Sequence, residues 1–130
     1  MAAKIGASKI INSTVSAAQN SPVKEWLVLF PDSPGVLSRR LEIRPRHSPN
    51  FVRLHNEGWV SWAGPVFEKH TFAGNPRRPF KGSVMVVNDV SKEAIWERLK
   101  GDPYVQEKIW DMDKAQVIPF ITKFRKMPQK

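Results

Sequence analysis

What most limits the fold of this chain is the order in which short apolar runs and helical stretches follow one another. "KEWLVLF" (24–30), "WVSWAGPVF" (59–67), "GSVMVVNDV" (82–90) and "AQVIPFITKF" (115–124) each read as a β-strand. They are rich in β-branched and aromatic residues and are bounded by turn-forming ones. A helix begins within "DSPGVLSRRLEIR" after Pro31. Asp32 or Ser33 can cap it, Pro34 suits its first turn, and Leu37 and Leu41 open its apolar face. Pro45 and Pro49 predict a kinked or split segment, because an interior proline costs about 3 kcal/mol. Ser48-Pro49 reads as a fresh cap, and Gly58 as the stop. The second helix, "SKEAIWERLKG" (91–101), is cleaner. Ser91 caps it, Ala94, Ile95 and Leu99 mark one face, Trp96 flanks that face, and Gly101 ends it. Residues 68–81 are a loop with a basic centre, and "DPYVQEKIW" (102–110) is a turn or short helix. Pro119 predicts an edge position or a bulge for the last strand.

The resulting order is β-α-β-β-α-β, which is characteristic of the ferredoxin-like split βαβ motif in the α+β class. It predicts a four-stranded antiparallel sheet with both helices on one face. The other face must then be covered, and a second copy of the chain is the simplest cover. A homodimer with sheets packed face to face is expected.

Charge separates the core from the ends. The net charge is +9, yet residues 25–120 carry only +2, while residues 1–24 supply +3 and residues 121–130 supply +4. A domain over 23–124 is therefore expected between a basic extension (1–22) and a basic tail (125–130). Residues 1–22 are rich in Ala and Ser and free of acid, the bias of a mitochondrial transit peptide, although they lack arginine. The alternatives are a mitochondrial protein and a cytoplasmic one with a plain extension. Basic ends also suit docking to a larger protein or protein–RNA complex through residues 1–22 and 121–130. No recognisable RNA-binding motif is present. No cysteine is present, which excludes a disulfide scaffold and a thiol nucleophile. No apolar run approaches the roughly 18 residues that span a bilayer.

Several residues are candidates for chemistry. A histidine titrates near neutrality, so His47 can act as a general acid or base or be held structurally by backbone. His55 reads as a surface or packing residue and His70 as solvated. Their spacings do not indicate a three-histidine metal site, so neither a metal nor another cofactor is expected. Arg39, Arg40, Arg44, Arg46 and Arg53 make the first helix basic, most of them solvated or ion-paired. Arg44 lies one turn before His47 and can hold an anionic group on a small acid. Trp59 and Trp62, three apart on a strand, point to opposite faces. One packs in the core, while the other is a candidate for the pocket or the dimer interface. Gly64 permits close backbone approach, and Pro65 ends strand pairing. Ser83 can donate to a ligand, and Asp102-Pro103-Tyr104 forms a turn whose tyrosine hydroxyl can reach one.

"EWLVLFPD", Arg39-Arg40-Leu41 with Arg44 and His47, Gly58, "AGP" (63–65), "GSVMVV" (82–87), "DPYV" (102–105), "WD" (110–111) and "VIPF" (117–120) follow one another over residues 24–124. In this order they resemble the YCII-related (YciI-like) family. The resemblance implies a dimeric α+β barrel and a functional histidine on the first helix beside a pocket between helix and sheet. His47 matches that histidine. The family often adds an acidic partner to make a His–Asp dyad. No Asp closely follows His47, and Glu57, the nearest following acid, would lie about 80° away around a continuous helix. Two functions stay open. One is a small-metabolite protein with His47-dependent acid/base activity of a lyase, dehydratase or isomerase kind. The other is a catalytically silent accessory subunit.

Overall fold

The computed structural model describes residues 21–72, 74–75 and 77–126, so most of the two charged ends lies outside the described residues. Strand β1 (Lys24–Pro31) leads into helix α1 (Leu37–Asn56), then β2 (Val60–Phe67) and β3 (Phe80–Asp89). Helix α2 (Lys92–Leu99), the short α3 (Pro103–Gln106), a 3-10 turn (Met112–Lys114) and β4 (Gln116–Phe120) complete the chain. The sheet order is β2-β3-β1-β4, with every neighbouring pair antiparallel. This is the expected ferredoxin-like arrangement, and Pro119 sits on an edge strand as its missing N–H requires. Among the described residues, no helix is long and apolar enough to cross a membrane.

Register sorts the strand residues between two faces. Val28 pairs with Met85 and Phe30 with Ser83, and these four are buried. With Ile43 and Leu54 of α1, Ile95 and Leu99 of α2, and Tyr104, Ile109 and Trp110, they surround the core. Leu27 and Leu29 point the other way, beside Val86, Val84 and Ile118. A bulge at Ser61 sets the facing of β2: Val60 pairs with Val87, but Trp62 pairs with Val86. Ala63 and Pro65 therefore return to the helix side, opposite Met85 and Ser83, while Trp62 joins the open face. The Asn88 side-chain amide pins the bulge by donating to the Ser61 hydroxyl and the Gly58 carbonyl.

Helix α1 departs from expectation, because it runs unbroken through Pro45 and Pro49. Arg40, Ile43, His47, Phe51 and Leu54 recur at three- and four-residue spacing on its inner side. The two prolines, four apart, share the outer, exposed side. The carbonyls they leave without an amide partner, of Leu41 and Pro45, lie on this same side rather than in the core. The start of α1 also differs. Its N-cap is Val36, with no side-chain cap, because the expected capping groups are engaged elsewhere. Asp32 pairs with Arg40, and the Ser33 hydroxyl donates to the Lys108 carbonyl at 3.0 Å. The stop at Gly58 is as read: its φ of 84° suits glycine. Ser91 caps α2 by accepting from the Ala94 amide.

Candidate active site

The site is built from two short stretches far apart in sequence. His47 lies on the inner side of α1, and Asp102 is the N-cap residue of α3. His47 Nδ1 and Asp102 Oδ1 are 2.8 Å apart across 55 residues. This corrects the absence of a carboxylate partner that the local sequence suggested: the partner comes from the "DPYV" turn, not from the helix. Asp102 is fully buried and accepts two further hydrogen bonds, from the Tyr104 amide to Oδ1 and from Asn50 Nδ2 to Oδ2, each 2.8 Å. Arg53 in turn donates to Asn50 Oδ1 at 2.6 Å, which fixes the amide so that its NH2 faces Asp102. An ionised carboxylate is acceptor-only, so Nδ1 of a neutral His47 carries the proton. That leaves Nε2 with its lone pair.

The imidazole is clamped on its faces. Tyr104 stacks on it at 3.8 Å and 5°, Phe51 leans against it at 4.7 Å, and Trp110 meets it edge-on at 5.5 Å and 89°. Its side chain remains 15% exposed, and the exposed part faces a pocket of about 410 Å³ between the inner side of α1 and strands β2 and β3. Phe51, Val60, Phe80, Met85 and Trp110 make the walls mainly apolar. Arg40 and Arg44 line it as well, and among the described residues no Asp or Glu does. A concave apolar pocket with a few convergent polar groups is the usual form of a small-molecule site.

Arg40 forms the floor and is only 4% exposed. Its Nε donates to Asp32 Oδ2 at 3.1 Å, and its Nη2 donates to the Gly82 carbonyl at 3.2 Å and to Ser83 Oγ at 2.9 Å. The guanidinium also lies 4.5 Å over the Phe80 ring and 5.1 Å over that of Tyr104. Burial pushes the Asp32 carboxyl above its ordinary range against the pull of Arg40. The same burial lowers the hold of Arg40 on its proton, which Asp32 opposes. Gly82 is obligatory here: a Cβ would stand 2.3 Å from the Phe30 carbonyl oxygen of the adjoining strand.

The structure brings several of the sequence candidates together. His47, Arg44, Gly64, Pro65, Ser83 and Tyr104 all line the pocket. Arg44 lies 5.9 Å over Phe80 and, among the described residues, has no carboxylate within ion-pair distance. Asp102 stands behind His47, out of the pocket wall. Tyr104 presents its ring, while its hydroxyl donates to the Arg40 carbonyl at 3.2 Å. Burial raises its pKa, which keeps it a phenol and a donor. The two tryptophans lie outside the pocket. Trp59 is core and donates to Asp89 Oδ2 at 2.9 Å, whereas Trp62 is 42% exposed on the open face. His55 is exposed at the pocket rim, and His70 is exposed in the β2–β3 loop. Arg39, Arg46 and Arg53 form the expected surface ion pairs with Glu42, Glu107 and Glu57. Sequence reasoning passed over Asn50 and the burial of Arg40. Both lie on the recurrent inner spacing of α1 that also carries His47.

Fold and site together define a ferredoxin-like α+β protein with a histidine–aspartate pair at the base of a pocket between its first helix and its sheet. No family model matches the chain. It is 79% identical over 107 residues to aspercryptin biosynthesis cluster protein B of Emericella nidulans, covering 82% of this chain and 69% of that protein. It is 29% identical over 96 residues to protein YciI of Escherichia coli, covering 73% of this chain and 94% of YciI. Among solved structures, it resembles 5-chloro-2-hydroxyhydroquinone dehydrochlorinase (TftG) from Burkholderia phenoliruptrix AC1100, in complex with 2,5-dihydroxybenzoquinone. That likeness has a TM-score of 0.65 and 17% identity over 76% of this chain and 95% of that one, and shows a shared fold. The chain belongs to the YCII-like family.

Proposed function

We propose that this protein is a small-metabolite enzyme in which His47, oriented by Asp102, moves a proton on a compact, planar, acidic ligand. The observation that carries this reading is the 2.8 Å pair of His47 Nδ1 with buried Asp102, which leaves the other ring nitrogen as the base at a 410 Å³ pocket. Orientation of a histidine by a carboxylate is a recurrent way to fix the reactive tautomer. Apolar walls suit a ring or conjugated chain, and Arg44 suits its acidic group. A lyase, dehydratase or isomerase-like step needs no more than such a proton transfer. The 79% identical relative, a protein of the aspercryptin biosynthesis cluster, supports a place in a biosynthetic route. The quinone bound by the dehydrochlorinase of like fold supports a planar oxygenated ring.

The test is solvent exchange. A panel of hydroquinones and β-keto acids in deuterium oxide, followed by proton NMR, should show protein-dependent exchange of one carbon-bound hydrogen. His47→Gln should lower its rate by roughly 10²–10⁴-fold while ligand binding persists. Exchange at the wild-type rate in His47→Gln would overturn the proposal.

We also propose that a second copy covers the open sheet face. Half-buried Leu27, Leu29 and Val84 surround a buried Val86 at its apolar centre, and Trp62 and Ile118 are its exposed rim. An apolar sheet face of this kind is ordinarily buried against another layer.

A further inference from the structure

Ser83 sits at the middle of β3, 8% exposed, on the helix side of the sheet and in the pocket wall. Its hydroxyl oxygen accepts from two donors at once: Arg40 Nη2 at 2.9 Å and Trp110 Nε1 at 3.1 Å. A hydroxyl has two acceptor sites and one O–H. Both acceptor sites are therefore filled, and by groups that cannot accept in return, since guanidinium and indole N–H are donors only. The strand neighbours of Ser83 on this face are Phe30 and Pro65, whose side chains offer no acceptor. Among the described residues, no group accepts from the Ser83 hydroxyl. The O–H is left with one outlet, the pocket.

We infer that Ser83 is a fixed hydrogen-bond donor that selects an anionic oxygen on the ligand, of the phenolate or enolate kind. The inference rests on reading the pocket as the ligand site and adds which end of the ligand lies where. Two features make the donor strong. The Arg40 cation behind the oxygen draws charge from the hydroxyl, and the surrounding apolar walls exclude water from it. The cost of orienting the O–H is already met in the folded protein, because Arg40 and Trp110 hold the oxygen from two sides. With Arg44 also unpaired and no carboxylate in the wall, the pocket favours a negatively charged occupant over a neutral one. Trp110 ties this donor to the base. Its indole N–H holds Ser83, while its ring edge meets His47 at 5.5 Å. A ligand whose oxygen meets Ser83 then lies along Trp110 with a neighbouring atom near His47. Charge that develops on that oxygen as His47 removes a proton is met by the hydroxyl. Ser83 is thus a direct ligand contact, and Arg40 a positioning residue that acts through it.

The test uses the purified full chain and two matched probes, 4-nitrophenolate and 4-nitroanisole, which differ in whether the oxygen is anionic. The wild type should bind the phenolate at least tenfold more tightly than the anisole. Ser83→Ala should lose roughly tenfold or more in phenolate affinity, the range for a hydrogen bond to a charged group, with the anisole unaffected. The bound phenolate absorbance gives a second readout, since a donor on the oxygen shifts its maximum to the blue. The maximum should move back to the red in Ser83→Ala and be restored in Ser83→Thr, which keeps the hydroxyl. Anisole binding in Ser83→Ala reports that the pocket is intact. Equal phenolate affinity and an unmoved absorbance maximum in Ser83→Ala would overturn the role of Ser83 while leaving the pocket reading in place. Failure of the wild type to bind either probe would overturn both.

Discussion

Asn50 donates its amide hydrogen to the one carboxylate oxygen of Asp102 that His47 does not use. The two residues thus divide a fully buried carboxylate between them, one turn apart on the same helix. Asn50→Leu would remove a donor from a charged acceptor that has no access to water. Urea unfolding of this variant should show a loss of about 1–3 kcal/mol. The His47-dependent exchange rate should fall with it, because Asp102 becomes free to turn from the imidazole. Unchanged stability would mean that Asn50 is a bystander.

Arg40 and Asp32 are a buried ion pair with further hydrogen bonds from the guanidinium. Breaking such a pair on one side is expected to cost about 3–5 kcal/mol, so Arg40→Leu should be among the most destabilising single changes in the chain. Its pH dependence has a fixed sign. Burial raises the Asp32 pKa, and removing Arg40 removes the opposing pull. A carboxyl with a raised folded value lends stability while protonated and loses it as pH climbs through that value. As pH climbs from the ordinary aspartate range, the urea midpoint of Arg40→Leu should therefore drop more steeply than that of the wild type. A parallel pair of curves would refute the assignment.

Glu25 clasps the chain just beyond β4, accepting from the Thr122 hydroxyl and, at 2.9 Å, from its amide. The Thr122 hydroxyl, then its amide, hold the Glu25 carboxyl below the usual range against the opposing effect of burial, with a lesser pull from Arg125. A lowered folded value means that the clasp is fully present above the ordinary glutamate range and is lost as pH falls through the lowered value. Hydrogen exchange at the Thr122 amide, compared with that of its neighbours, should speed up selectively as pH falls below the ordinary glutamate range. Glu25→Gln should flatten that selective response.

Trp62 offers a direct handle on assembly. Trp62→Glu places a charge on the open sheet face, far from His47 and outside the pocket wall. Sedimentation should give a dimer for the wild type and a monomer for the variant at micromolar concentration. A wild-type monomer would remove the case for a second copy.

The strands, their order and the capped second helix could be read from sequence because each is a local pattern: alternation, a breaker, a cap. The line from Arg40 through His47 to Leu54 was also present as a helical spacing. Counting positions around the helix from His47 would have put Pro45 and Pro49 on the far side and argued for one unbroken helix. The dyad was not legible, since no local rule joins His47 to a residue 55 positions later. "DPYV" reads as a turn; Asp102 caps α3 there, and a capping carboxylate has lone pairs to spare that sequence does not assign. Arg40 was hidden for a related reason. In sequence an arginine reads as surface, and only the tertiary arrangement of Asp32, Gly82 and Ser83 makes its burial tolerable.

The bulge at Ser61 makes the assignment of surfaces a matter of how one residue pairs rather than of residue identity. Were Ser61 to pair in register instead of bulging, everything after it would rotate by half a strand period. "AGP" would leave the ligand side, and the tryptophan would enter it. Loss of the bulge alone, as when Asn88 no longer holds Ser61, would exchange the roles of two surfaces without altering any residue that serves either one.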